Sequence, residues 1–591
     1  MKAKPSLDLI GSVDGPLMME HMAEFAKWRK ESGVPEELKS LEYVEARMKE
    51  YGYTTELILH DAYISLPGKA VVHGPDGDIR CITHSFSRSA PKGGLKAKLV
   101  DVGNGTPEDF AKIDVRGRIV LVNGIANPVM SRRASLAGAA GQLHISPHEH
   151  THEMCISPVW GSPTHDTVAN LPSTVVVTVP LEGGESLRAK LKQTPDLEVT
   201  IEAEVDTRWR KTPILVCDMA GPEGGEDEPF VFFTGHHDTW YYGVMDNGGA
   251  NATMIEVARV CAEHRKEWKR ALRVVFWSGH SQGRYSGSSW YAEQNWEELE
   301  RRALVHVNVD STGGKGNTVV ADTTAAAELR NLAREAIREQ GQQEFTNRRM
   351  SRAGDQSFWG IGVSSIFGNM SEQPATGEAN ASAAVFGGGN RLGHGTGWWW
   401  HTPDDLLDKI EEPILVRDTN IYLHTVWRLL ADPVLPLDWA EHADYLIEEL
   451  SGLQKSVGDK FDLSLLLGRA RALKDRAATF NRLTADTTSE GAKRANETLI
   501  AVSRALVPLD YTECDRFEQD PAIAAPPYPS LRPVREMAGV EKGTDRFNFL
   551  SVGAARARNR IAWGLRQAAA ALDAGISDLS SSQGTAKTDA A

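Results

Sequence analysis

The chain has 591 residues, 41% of them hydrophobic and 25% charged. That length exceeds what one hydrophobic core supports and predicts about three domains, while the ordinary composition excludes global disorder and a membrane-embedded body. A formal net charge of -15 excludes the clustered basic surface that tracks a phosphate backbone, so nucleic acid is not an expected partner.

The first residues start basic but meet Pro5, Asp8, Gly11 and Asp14, which interrupt the apolar stretch of a signal peptide. Residues 16–51 carry helical patterning, and Pro35 followed by Glu36 and Glu37 is a good helix start because early carboxylates complement the helix dipole. A helical arm over 1–61, packed on the domain that follows, is expected. From 62 to 205 short β-rich runs such as GRIVLVNG and STVVVTV are separated by Gly, Pro and Asn, with one helical segment around Ala134 to Gly141. In this region HISPHEHTHEM holds His144, His148, His150 and His152. A metal-binding tract and a loop reaching over a site both fit, and a solvated polar loop is the simpler reading.

From 206 to 435 strands alternate with helices, the pattern of a sheet covered on both faces. FVFFTGHHD, ALRVVFWSG, LVHVNVDST and VSSIFG are the predicted strands, and Met254, Val257, Ala258 and Cys261 make one apolar helix face between them. A helical domain is expected over 436–575, where Leu463, Leu466, Leu467, Ala470, Leu473, Ala477 and Phe480 follow the 3.6-residue period. Residues 576–591 are small and polar, which predicts a flexible tail. Cys81, Cys155, Cys217, Cys261 and Cys514 are scattered, odd in number and without a CxxC pair, and no stretch approaches the roughly 20 apolar residues that span a bilayer. A cytoplasmic protein with no membrane partner is expected.

The strand FVFFTGHHD ends in His236, His237 and Asp238, and alternation puts His236 and Asp238 on one face. That spacing suits a metal ligand and the carboxylate that orients it. Asp246 follows in the Gly-rich turn DNGGA, beyond the strand end where open α/β folds place their ligands. Asp310 ends LVHVNVDST, and His401 opens HTPDDLLDKI just before a predicted helix whose first turn holds Asp404 and Asp405. Two imidazoles and two carboxylates at one sheet edge make a nitrogen and oxygen site for zinc first, with manganese or iron as alternatives. Trp240, Tyr241 and Trp400 flank these ligands and are candidates for a flat wall that binds substrate.

Together GHHDTW, Asp246-Asn247, NVDS and WHTPDDLLDKI resemble, in family order, the family-28 metallopeptidases, which contain zinc aminopeptidases, glutamate carboxypeptidase and the transferrin receptor. The resemblance implies a helix-covered mixed α/β sheet of the zinc-peptidase type, an inserted β-rich protease-associated domain and a C-terminal helical domain that makes a homodimer. It implies that His236, Asp246 and Asp310 bind one metal, that His401 and the bridging Asp246 approach a second, and that Asp238 orients His236.

One string departs from that pattern. Where the family carries two consecutive glutamates, a general base and a metal ligand, this chain has WSGHSQG, with His280 and Ser281 in their places. Serine brings no charge to a metal, whereas imidazole is both a ligand and a base with an ordinary pKa near 6.5. His280 is therefore expected either to complete the coordination or to manage a proton, with one tight metal site and a second, doubtful one. The expected activity is hydrolysis of an amide or peptide-like bond in a small or short peptide-like substrate, divergent from ordinary peptidases. A metal-dependent lyase and a binding protein like the transferrin receptor are the alternatives.

Overall fold

The structure, a computed structural model, describes residues 2–588 except 223, 226, 375–394, 486 and 488. Its centre is a sheet in which Ser364–Ile366, Ala303–Val309, Phe230–His236 and Ala271–Trp277 run parallel, in that order, with Glu198–Met219 antiparallel at the far side. Every residue of the three middle parallel strands is buried. That is why they read as continuous apolar runs, since helices cover both faces of such a sheet. Val231 and Phe233 join one core with the helices Ala250–Glu263 and Glu412–Ala431, while Phe230 and Phe232 join another with Ser286–Gln294 and Trp296–Arg302. The predicted helix face Met254, Val257, Ala258 and Cys261 is fully buried in the first of these.

Two long strands, Thr54–Gly74 and Glu198–Met219, pair along nearly their whole length, from Thr54 opposite Asp218 to His73 opposite Thr200. At one end Glu198–Met219 joins the central sheet through Leu215 to Met219; at the other, Glu198 to Ile201 pair with Leu95–Asp101. From there a parallel sheet continues through Ile119–Asn123, Gly141–Ile145 and Val175–Val179. The limits of 62 and 205 drawn from composition therefore fall inside a ribbon that both sheets share. The insert is also less purely β than expected, because it carries the helices Pro107–Lys112, Pro128–Leu136 and Leu181–Gln193. The single helix expected near 134–141 begins earlier, where the Asn127 side chain caps the Met130 N–H at 2.9 Å and Pro128 opens the first turn. Gly141–Ile145 is instead a strand paired on both sides.

The leading arm forms Leu7–Gly11, Gly15–Phe25 and Pro35–Glu50, with Met18, Met22 and Phe25 buried in the main core. After the central sheet come the helices Trp439–Val457, Ser464–Thr484, Ser489–Tyr511, Arg532–Met537 and Asp545–Thr588. Leu463, Leu466, Ala470, Leu473, Ala477 and Phe480 are buried among them, as their period predicts. The last helix runs on to Thr588, and Leu579, within the segment expected as a tail, is buried; residues 589–591 of that segment lie outside the described residues. Among the described residues no helix is long and apolar enough to cross a membrane.

Candidate active site

The C-terminal ends of the parallel strands deliver the site. His236 is the last residue of its strand, and its Nδ1 donates to the backbone carbonyl of Asp238 at 2.8 Å. That bond places the Nε2 lone pair toward Asp246 Oδ1 at 3.3 Å and Asp310 Oδ1 at 3.6 Å. Nε2 is buried and hydrogen-bonds to neither. His401 repeats the arrangement: its Nδ1 donates to the Glu153 carbonyl at 2.6 Å, and its Nε2 lies 3.0 Å from Asp246 Oδ2. In neutral imidazoles these are lone pairs facing carboxylates, an arrangement that repels unless a cation sits between them. Burial works against a charge on His236, yet Asp246 and Asp310 prevail and hold its pKa well above the ordinary value. Burial likewise raises Asp246, but His236 and His401 outweigh it and hold the carboxyl well below its usual range. The site is built for positive charge, and a nitrogen and carboxylate donor set of this kind fits a divalent transition metal.

Asp246 owes its position to Asp405, a buried carboxylate that accepts from the backbone N–H groups of Met245 at 2.9 Å and Asp246 at 3.0 Å. Burial pushes the Asp405 carboxyl up to about 7 against those two bonds. The segment after His401 was expected to enter a helix through Asp404 and Asp405. It instead turns through a short 3₁₀ piece, Leu407–Lys409, before the helix Glu412–Ala431, because Asp405 is engaged with the metal-side loop.

His280 follows the strand Ala271–Trp277 across a turn, and its ring stacks on His236 with centroids 3.7 Å apart and planes 10° apart. Its Nδ1 is 2.9 Å from Asp355 Oδ2, and Asp355 Oδ1 accepts from Ser288 Oγ at 2.8 Å. Burial pushes Asp355 up, but the His280 imidazole wins and its carboxyl lies below the usual value. His236, His280 and Asp310 each offer a ligand atom within 4.8 Å of the others.

Asp238 departs from the orienting role expected of its carboxylate. The backbone carbonyl of the same residue takes the His236 proton, while the carboxylate lies 3.8 Å from that ring. It accepts instead from the backbone N–H groups of His280 at 3.2 Å and Ser281 at 2.8 Å and from Ser32 Oγ at 2.7 Å. It thereby ties the His280 turn and the leading arm to the end of the His236 strand.

Asp246, His280, Asp310, Trp240 and Trp400 line one cleft. Trp400 stacks on His401 at 3.6 Å, and Trp240 lies 5.6 Å from the same ring. Tyr241, expected beside them, does not line the cleft; its hydroxyl donates to the buried Glu153 carboxylate at 3.1 Å. The histidine tract is not solvated, since His144 and His152 are buried. His148 Nδ1 accepts from the His150 N–H at 3.0 Å, so its proton is on Nε2 and points at His152 Nε2, 3.2 Å away. His152 Nδ1 in turn lies 2.5 Å from the Trp400 carbonyl. The facing nitrogens satisfy each other, and the tract is a hydrogen-bonded clamp that carries Glu153 to His401.

Sequence reasoning missed Asp355, Ser32 and the Asp405 bonds. Nothing local in AGDQSFW marks Asp355 as the partner of a histidine 75 positions away.

Residues 217–426 match Peptidase family M28. The chain is 22% identical over 522 residues to a probable glutamate carboxypeptidase, VP8, of Zea mays, spanning 76% of this chain and 71% of that protein. It is 23% identical over 355 residues to the aminopeptidase YwaD of Bacillus subtilis, spanning 58% of this chain and 70% of that protein. Among solved structures, a zinc aminopeptidase from Bacillus subtilis, BSAP, superposes with a TM-score of 0.54 at 19% identity, covering 71% of this chain and 96% of that one. An aminopeptidase from Aneurinibacillus sp. strain AM-1 superposes with a TM-score of 0.53 at 20% identity, covering 71% and 95%. The chain thus carries a peptidase family M28 domain, and the candidate ligands His236, Asp246, Asp310 and His401 all fall within it.

Proposed function

We propose that the protein is a metal-dependent hydrolase of a peptide-like amide bond, working with one tightly held divalent ion, zinc by preference. The observation that carries this reading is the pair of imidazole Nε2 atoms, on His236 and His401, aimed at the carboxylates of Asp246 and Asp310. His236, Asp246, Asp310 and His401 would hold the metal, with His280 close enough to complete the set. Two carboxylates balance one dication, and neither His280 nor Ser281 supplies the anionic charge a second ion needs.

When bound, such a metal polarises the scissile carbonyl and lowers the pKa of water. The chain's own groups then manage substrate and protons. Asp355 holds the His280 proton on Nδ1, which leaves Nε2 free to accept a proton or to bind the metal. Trp240 and Trp400 give the cleft flat apolar walls that exclude water from the reacting bond. The retained ligand set and the peptidase relatives support hydrolysis over a lyase or a purely binding role.

The five cysteines are unpaired, which suits a reducing compartment and supports a cytoplasmic location. A homodimer is supported by Phe549, Val552 and Trp563, 75%, 54% and 56% exposed on the last helix. Elemental analysis of the purified protein, with turnover of an aminoacyl anilide and of N-acyl peptides, tests the reading. One tightly bound metal and turnover lost on its removal are expected. A protein that retains no stoichiometric transition metal would overturn it.

A further inference from the structure

Lys30 closes the leading arm against the loop that carries Trp240. It is 1% exposed, and its Nζ donates to three backbone carbonyls: Phe25 at 3.2 Å and Trp28 at 3.3 Å on the arm, and Tyr242 at 2.8 Å on the loop. Its backbone serves the same loop. The Lys30 carbonyl accepts from the Thr239 N–H at 2.8 Å, and the Lys30 N–H donates to Thr239 Oγ1 at 3.3 Å. Thr239 Oγ1 donates in turn to the Tyr241 carbonyl at 2.9 Å. One residue of the arm thus holds this segment at both ends, and Trp240, which lines the cleft and lies 5.6 Å from the His401 ring, sits between the two holds. Tyr241 has a φ of 53°, a conformation that L side chains rarely adopt, so the segment depends on these bonds rather than on its own preference.

Three carbonyls match the three N–H groups of an ammonium and leave a neutral amine one donor short. Among the described residues no carboxylate hydrogen-bonds to this ammonium. Burial pushes Lys30 down to about 7, against the attraction of Asp405 and Glu37. Asp405, from the turn after His401, titrates in the same range; Glu37, on the helix Pro35–Glu50, is itself pushed up by burial. His237, beyond the end of the central strand, is held neutral because burial lowers it to about 3. The Lys30 amine is therefore charged below about pH 7 and neutral above it, and only the charged form satisfies all three carbonyls. We propose that Lys30 is a positioning residue for the substrate wall: its ammonium fixes Tyr242 and with it Trp240, and loss of its proton releases the wall, so that binding of an apolar acyl group weakens as the pH rises. The use of the wall rests on the hydrolase reading, but its movement is measurable without turnover.

The test follows Trp240 and turnover together across neutral pH in zinc-loaded wild type, Lys30→Met and Lys30→Arg. The tryptophan fluorescence of each chain, less that of the same chain carrying Trp240→Phe, isolates the wall, and KM for a leucine anilide reports its use. In the wild type the difference signal should move to longer wavelength as the pH rises through about 7. KM should rise with it by about tenfold relative to Lys30→Arg, the worth of one charge-assisted hydrogen bond, with metal content unchanged. Lys30→Met should show the loosened signal and the high KM at every pH. Lys30→Arg, whose guanidinium keeps its charge throughout, should keep the low KM and lose the pH dependence. A step that survives in Lys30→Met overturns the proposal and assigns the titration to Asp405, and a flat difference signal in the wild type overturns it too. If Lys30→Met does not fold, Lys30→Arg decides, because a step there equal to that of the wild type refutes a role for the Lys30 proton. An anilide left uncleaved removes the hydrolase reading, and the fluorescence difference then decides the positioning role by itself.

Discussion

His236 and His280 sit ring against ring at the ends of adjacent strands, yet the chain fixes them by different means. His236 is oriented by the carbonyl of Asp238, two residues on, so its geometry is set by its own strand end. His280 is oriented by the carboxylate of Asp355, which arrives from a distant segment and is itself held by Ser288. A carbonyl fixes a tautomer and little more. A carboxylate adds a charged acceptor for the same proton, and Asp355 is in turn fixed by Ser288, so His280 is held through a relay of side chains rather than by its own strand end. The difference separates a ligand set by its own strand end from a histidine set across the fold.

The largest effect should come from breaking the first of the pair. His236→Ala or Asp310→Ala is expected to abolish stoichiometric metal and lower turnover on the order of a thousandfold or more, since all metal-assisted stabilisation goes with the ion. Elemental analysis and kinetics read this directly, with circular dichroism to show that the sheet remains. Full metal occupancy in either variant would refute the ligand assignment. His280→Ala should cost about a hundredfold or more in kcat, in line with loss of an acid-base group. Replacing both His280 and Ser281 with Glu should raise the metal count toward two, because it restores anionic charge at the doubtful second position. A wild type that already binds two ions tightly would contradict the charge argument.

Asp355→Asn probes the second member of the pair without removing it. An asparagine still accepts from His280 Nδ1, but it brings no charge, and partners of this kind are worth about 10- to 100-fold in affinity or activity. The loss should be smaller than in His280→Ala, and it should vanish in the His280→Ala background. Additive losses in the double variant would mean that Asp355 acts through something other than His280.

The same contrast explains what was legible in the sequence. His236 and Asp310 stand at or just past strand ends, and Asp246 and His401 lie in Gly-rich or Asp-rich turns, so short strings exposed both the fold and the candidate ligands. Alternation correctly placed His236 and Asp238 together but could not tell a carbonyl from a carboxylate as the orienter, because that choice depends on what else competes for the carboxylate. Asp355, Ser32 and the Glu153 carbonyl come from segments with no patterned link to the ligands they serve. The limits of the insert were misplaced for a related reason. Thr54–Gly74 and Glu198–Met219 are longer than either sheet alone requires, and composition does not change where a strand leaves one sheet for another.

Ser32→Ala is the mildest way to sharpen the comparison, because it removes a side-chain bond and leaves backbone bonds to the same acceptor. Ser32 Oγ donates to Asp238 Oδ2 at 2.7 Å in a fully buried setting. Oδ2 keeps the Ser281 N–H at 2.8 Å, and Oδ1 keeps the His280 N–H at 3.2 Å. Gln282 Oε1, 2.7 Å from the same hydroxyl, also keeps a donor, the Ser32 backbone N–H at 2.8 Å. The carboxylate is therefore weakened but not orphaned, and the loss should be about 1.5–3 kcal/mol of stability, the range for one hydrogen bond to a charged group. His236 is oriented by the Asp238 carbonyl, which the variant does not touch, so metal content should be unchanged and kcat/KM should fall less than tenfold. Thermal melts alongside kinetics separate the two effects. A loss of metal, or a fall in kcat/KM comparable to that of Asp355→Asn, would show that the leading arm positions the ligands themselves rather than the turn beneath them.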